Sequence, residues 1–109
     1  MDKLNLETLL TFSAEKSTRK ALFTEGELDL GLLLYKPGQT TPDHKHSDID
    51  EFFYIISGQG TITIDHQPIE VKEKDIIFSP RCELHGFQNT SSSDWIVLQI
   101  KLTRIKEGC

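Results

Sequence analysis

Cysteine, tryptophan and methionine are scarce in these 109 residues: two, one and one. Cys82 and Cys109 are too few for a disulfide framework. Cys109 is the last residue and is expected to be a free, exposed thiol. Positive charge is also in short supply, with 12 Lys and Arg against 17 Asp and Glu and a net charge of −5. Without a basic stripe to displace counterions from phosphates, the chain is not expected to bind nucleic acid. The same balance disfavours an anionic membrane surface. No apolar run approaches the ~20 residues of a membrane span. Residues 1–12 lack the charged segment and apolar core of a secretory signal, so the cytoplasm is the expected location. Nor is there a repeat, a low-complexity tract or a linker. A single domain over 1–109 is expected, with an N-terminal lead-in at 1–20 and a barrel over 21–103.

What the chain does contain is a series of short strand signals. Leu28, Leu30, Leu32 and Leu34 alternate with other residues before a Pro37-Gly38 turn. Glu51–Ser57 is rich in β-branched and aromatic residues and runs into Ser57-Gly58-Gln59-Gly60, which predicts a hairpin turn. Thr61–Asp65 alternates, Asp65–Pro68 reads as a turn, and Ile69–Lys72, Ile76–Ser79 and Trp95–Leu102 read as further strands. Asn89–Asp94 reads as a polar loop. Short strands at about ten-residue intervals predict an all-β antiparallel sandwich or barrel, most simply a jelly roll. Residues Leu4–Phe12 are ambiguous. They fit a short helical turn capped by Asn5 or an irregular lead-in.

The chemistry-bearing pattern is His44-Lys45-His46, with Glu51 soon after and His85 far downstream; three of the four histidines fall in it. Side chains at i and i+2 of a strand share a face, so His44 and His46 can share one ion. Glu51 opens the next apolar strand, and His85 follows a Pro80-containing turn and can arrive from a neighbouring strand. Three neutral imidazoles and one carboxylate suit Fe, Mn, Ni, Co, Cu or Zn. By alternation Glu51 brings Phe53, Ile55 and Ser57 to the same face, and Phe52, Tyr54 and Ile56 to the other. His85 brings Phe87. Phe53 and Phe87, over a floor from Leu98 or Ile100, are either a pocket wall or simply core. Gln99 is either a barrel-facing group or an outer-face residue. Cys82 reads as a buried thiol filling a turn, Arg81 as a loop arginine or an anion contact, and His66 as surface. Asp43, Asp48 and Asp50 either favour cation capture or are ordinary loop residues.

The spacing from Gly38 through His44, His46 and Glu51 to Gly58 resembles the first cupin motif at every defined position. Lys74, Pro80, Cys82, His85 and Asn89 match the spacing of the second motif, with Lys74 and Cys82 where that motif has glycines. The resemblance covers about Leu28 to Leu102. It implies the double-stranded β-helix form of the jelly roll and a divalent transition-metal ion on His44, His46, Glu51 and His85. It also implies a homodimer and a small-molecule ligand, for which strand alternation offers a pocket near Phe53, Phe87 and Gln99. Cupins include dioxygenases, isomerases, lyases and non-catalytic binders, so the resemblance leaves the reaction open. The expectation is a metal-dependent enzyme on a small polar metabolite. A ligand-sensing module and a structural protein with a vestigial site are the alternatives.

Overall fold

In the structure, a computed structural model that describes residues 1–104 and 109, nine strands follow one 3-10 turn at Leu6–Thr8. The turn is capped as expected, with Asn5 Oδ1 accepting from the Glu7 amide at 3.0 Å. The strands are β1 (Thr18–Glu25), β2 (Leu28–Tyr35), β3 (Thr40–His44), β4 (Ile49–Ser57), β5 (Gln59–Ile64), β6 (Gln67–Lys72), β7 (Ile76–Ser79), β8 (His85–Gln88) and β9 (Trp95–Thr103). The first begins at Thr18, ahead of the Ala21 start expected from sequence. All pairings are antiparallel, in a five-stranded sheet of order β1-β2-β9-β4-β7 and a four-stranded sheet of order β3-β8-β5-β6.

The core lies between the two sheets. Leu33, Tyr35, Phe53, Ile55, Ile62, Val71, Phe87, Trp95 and Val97 form one buried cluster. Burying a side chain of this size contributes roughly 1.5–3 kcal/mol. A second cluster, Leu32, Leu34 and Ile96, lies on the opposite face of the larger sheet, packed by Leu6, Phe12 and Leu22. This cover explains why Leu32 to Tyr35 are all buried although a half-buried strand would alternate. The lead-in lies across the outer face and turns β2 into a strand buried on both sides.

Two turns differ from the sequence reading. Residues 57–60 do not make a hairpin. β4 pairs with β7 and β9, whereas β5 pairs with β6 and β8, so the chain crosses between sheets at this corner. Gly58 is needed there: its φ is +81°, and a Cβ would collide with the Asp94 carbonyl oxygen. The true hairpin is β5–β6, where Asp65 and His66 both take positive φ, 48° and 67°, as a tight two-residue turn requires.

Lys74 and Cys82 hold φ of +75° and +73°. The left-handed turns of the second motif are therefore kept without glycine. The Cys82 amide donates to the His46 carbonyl at 2.7 Å, tying its turn to the loop that follows β3. Cys109 is not a free thiol. It is disulfide-bonded to Cys82, with Cα atoms 5.5 Å apart, well within bridging range. Two cysteines 27 residues apart gave no such signal because the returning β9 strand creates the proximity.

Lys74 is exposed and has no packing role to lose, so Lys74→Gly should raise stability by about 1 kcal/mol as left-handed strain is relieved. Gly58→Ala should lower it by about 1–3 kcal/mol through strain and collision. Urea denaturation of both variants against the parent checks the two signs.

Candidate metal centre

The β4–β9 register builds the site. Glu51 lies opposite Lys101, Phe53 opposite Gln99 and Ile55 opposite Val97. Paired residues share a face, so Gln99 and Lys101 point into the barrel with Glu51. Leu98 and Ile100 therefore cannot form the pocket floor expected from sequence. Their parity puts them on the outer face, where Leu98 packs against the second cluster. His44 and His85 are cross-strand partners on β3 and β8. His46 lies just beyond the end of β3 rather than within the same strand.

The four residues nonetheless meet. One ligand atom from each of His44, His46, Glu51 and His85 lies within 4.8 Å of all the others. Ligands ~2.1 Å from an ion stand ~3 Å apart when adjacent and ~4.2 Å apart when opposite, so the cluster has the span of a first shell. Ring centroids are 4.4 Å apart for His44 and His85, and 5.3 Å for His44 and His46.

Hydrogen bonds orient these groups. His44 Nδ1 donates to the Pro42 carbonyl at 2.9 Å, and since a carbonyl only accepts, the lone pair is on Nε2. His85 Nδ1 lies 3.0 Å from Ser79 Oγ, which leaves its Nε2 for the cluster. Gln99 Nε2 donates to Glu51 Oε1 at 2.7 Å, and Gln99 Oε1 accepts from Arg19 Nε at 2.6 Å. Glu51 Oε2 and His85 Nε2 then approach to 2.7 Å, both buried, and among the described residues neither has another hydrogen-bond partner. A buried carboxylate oxygen and an imidazole nitrogen this close share either a proton or a cation, and the other two histidines converge on the same point. The donor set therefore fits a divalent ion.

The electrostatics agree. Burial pushes the Glu51 carboxyl upward, but the contacts with His85 and Gln99 and the neighbouring imidazoles outweigh it, and the group is held below its usual range, ionised. Burial lowers His46, with His44, His85 and Lys101 adding to the shift against the opposing pull of Glu51. His46 is thus a neutral imidazole, the form that binds metal.

His44 and His46 line a cavity of about 340 Å³, together with Arg19, Tyr35, Gln99 and Lys101 among others. Phe87 lines it too. Phe53 does not. It is fully buried between His85 and Phe87, its ring centroid 5.5 Å and 4.8 Å from theirs, and belongs to the core. Another cavity of about 340 Å³, beside Glu70, Lys72 and Asp75, lies away from the histidines, and its volume alone assigns it no chemistry. Tyr35 is pushed well above its ordinary pKa by burial, against the lowering effect of its bond to Thr41, and keeps its proton. Its hydroxyl lies 2.7 Å from Thr41 Oγ1.

Several flanking residues take other roles. Asp50 does not face the cluster as a free charge. It accepts from the Arg81 amide at 2.8 Å and from Arg104 Nη1 at 2.7 Å, and the Arg81 bond above all holds its carboxyl below the usual range. Arg81 donates to the Ser47 carbonyl at 3.2 Å and does not line the cavity. Cys82 offers no fifth ligand, being in the disulfide. His66 is exposed, as expected, 3.8 Å from Asp43. Buried Asn89 donates to the carbonyls of Tyr35 and Ser93 at 3.1 Å and 2.8 Å, fixing the polar loop. The residues missed from sequence are Arg19, Lys101 and Tyr35. Lys101 could have been found, since an inward Gln99 implies an inward Lys101. Arg19 lay in the supposed lead-in, with nothing local to mark it.

Comparison with known proteins agrees with this geometry. Residues 31–101 match the Cupin domain family, and the chain belongs to that family. It is 38% identical over 52 residues to an uncharacterized protein of Methanocaldococcus jannaschii, covering 48% of this chain and 42% of that protein. It is 31% identical over 58 residues to an oxalate-binding protein of Thermotoga maritima, covering 53% and 48%. The chain thus spans less than half the length of either relative. The crystal structure of TT1209 from Thermus thermophilus superposes with a TM-score of 0.90 at 23% identity, covering 95% of this chain and 99% of that one. That likeness shows the double-stranded β-helix fold.

Removing the bond that aims Glu51 should loosen the cluster. Gln99→Leu is expected to weaken cobalt(II) binding roughly 10–100-fold, as outer partners of metal ligands typically do. Titration followed by visible absorption checks this, and an unchanged affinity would mean that Gln99 does not orient the carboxylate.

Proposed function

We propose that His44, His46, Glu51 and His85 hold one divalent transition-metal ion, Fe, Mn, Ni, Zn, Co or Cu, and that the protein is a metal-dependent enzyme acting on a small polar metabolite. The observation that carries this reading is the convergence of one ligand atom from each of the four residues to within 4.8 Å of the others, with Glu51 Oε2 and His85 Nε2 buried and 2.7 Å apart. Such an ion supplies Lewis-acid or oxygen-activating chemistry when bound. The chain's own residues do the rest. Ser79 and Gln99 orient the ligands, Phe53 and Phe87 keep water from the inner side, and His44 and His46 face the cavity that a metabolite would enter. Tyr35, with its retained proton, can donate a hydrogen bond there.

Binding without turnover is the second reading. It is favoured by the commitment of Glu51 and the three histidines to the ion, which leaves hydroxyl groups, Tyr35 among them, as the neutral proton donors at the cavity. The oxalate-binding relative from Thermotoga maritima supports a small-molecule ligand under either reading. Protein purified without an affinity tag should carry one ion per chain by mass spectrometry, and His46→Ala should lose it. Native protein free of metal, or His46→Ala with unchanged content, contradicts the proposal. Product formation or oxygen uptake by the loaded protein separates an enzyme from a binder. A melting shift on metal removal with no ligand affinity would favour a structural site.

We further propose that the protein is a homodimer paired through the outer face of β4 and β7. Ile76, Phe78 and Phe52 are 69%, 51% and 40% exposed there, with the two phenylalanines stacked at 4.8 Å. β7 also ends its sheet and leaves an open edge. Phe78→Glu should convert the dimer to a monomer in sedimentation velocity, and a monomeric parent at micromolar concentration would sink the idea. No helix among the described residues is long and apolar enough to cross a membrane. A cytoplasmic location remains our reading of the sequence, with the Cys82–Cys109 bond as the feature at odds with a reducing compartment.

A further inference from the structure

The charge at the mouth of the cavity is opposite in sign to that of the protein. The chain carries −5 overall. Yet the charged side chains that line the cavity beside the histidines are Arg19 and Lys101, and no Asp or Glu lines it among the described residues. Both cations are partly withdrawn from solvent, 32% and 25% exposed. They come from strands at separate places in the sheet, β1 and β9, and neither belongs to the spacing that defines the metal cluster.

Their placement is held from behind. Asp29 on β2 lies 3.3 Å from Arg19 Nη2 through one oxygen and 3.8 Å from Lys101 Nζ through the other, so one carboxylate spaces two cations. Arg19 Nε is engaged by Gln99 at 2.6 Å and Nη2 by Asp29, which leaves Nη1 without a partner among the described residues. Gly31 allows this path. It sits opposite both Ala21 and Gln99 in the sheet, and a Cβ there would lie 2.6 Å from the Arg19 guanidinium. The strand gives up a side chain at the position where the guanidinium crosses it.

We propose that this cavity binds a small organic carboxylate anion, with Arg19 and Lys101 as its anchoring residues and Gly31 and Asp29 as positioning residues. The inference names the ligand class for the site proposed above and rests on that reading only for what holds the other end of the ligand. Asp29 and the ionised Glu51 match the two cations in number, but only Arg19 and Lys101 line the cavity, so the charge an incoming anion meets there is positive. A guanidinium presents paired donors that match a carboxylate, and such charge-assisted bonds are about twice as strong as neutral ones. Leu33 and Phe87 line the same cavity and give a carbon skeleton an apolar wall, which inorganic phosphate would not use.

The test is calorimetric titration of the cobalt(II)-loaded and the metal-free full chain with malonate, succinate and 2-oxoglutarate, and with malonamide, succinamide and inorganic phosphate as controls. At least one acid should bind, and bind more tightly than the diamides and phosphate. Arg19→Gln and Lys101→Gln should each weaken it by roughly tenfold or more. Gly31→Ala, which keeps both charges but displaces the guanidinium, should weaken it in the same direction. Cobalt content is measured separately for every variant. If cobalt loads but no acid binds, or the diamides or phosphate bind as well, or the three variants leave affinity unchanged, the anion site is overturned and the metal centre is not. If cobalt does not load, the metal reading fails, and the metal-free titrations with the same variants decide the anion site alone. Should Arg19→Gln fail to fold, Lys101→Gln and Gly31→Ala carry the test.

Discussion

A carboxylate with no solvent exposure, Glu51, sits inside a barrel whose core is largely apolar, and most of the site can be understood as the response to it. An isolated buried charge is too costly to persist. Gln99 satisfies one oxygen, and Arg19 fixes which way round the Gln99 amide lies. The other oxygen is aimed at His85, whose far nitrogen is braced by Ser79. The chain of contacts from β1 to β7 therefore runs through a single oxygen–nitrogen gap. The fold supports that contact with strand parity, because Glu51 and Gln99 lie diagonally on one face only while the β4–β9 register holds.

The same parity shows why part of this was legible in the sequence and part was not. His44, His46, Glu51 and His85 sit at a spacing that both strand geometry and the cupin motifs pick out. The convergence of these four residues and the all-β architecture could thus be read in advance. The outward placement of Leu98 and Ile100 was also available, since it follows once Gln99 is turned inward. What could not be read was anything set by long-range register. Arg19 reaches the cavity only because β1 pairs with β2 so that its guanidinium passes over Gly31 to Gln99. The disulfide depends on where β9 ends, and the corner at Gly58 on which sheet each strand joins. A local hydrophobic pattern contains none of this information.

The substituted glycines make a related point about motifs. Lys74 and Cys82 adopt the left-handed backbone that glycine would supply, so the second motif survives as a conformation although its letters have changed. At Cys82 the turn gains a bond to the His46 carbonyl and a covalent link to the C-terminal residue. The amide bond ties the loop carrying His46 to the turn that leads into β8 and His85, and the disulfide ties that turn to the C-terminal residue.

The central claim is that the gap between Glu51 and His85 belongs to a metal ion. X-ray absorption at the cobalt edge of the loaded protein tests it most directly. The account expects a shell of imidazole nitrogens and carboxylate oxygen at ~2.0–2.2 Å, with the outer-ring scattering of three histidines. A spectrum of solvated cobalt with oxygen neighbours and no imidazole scattering would contradict it.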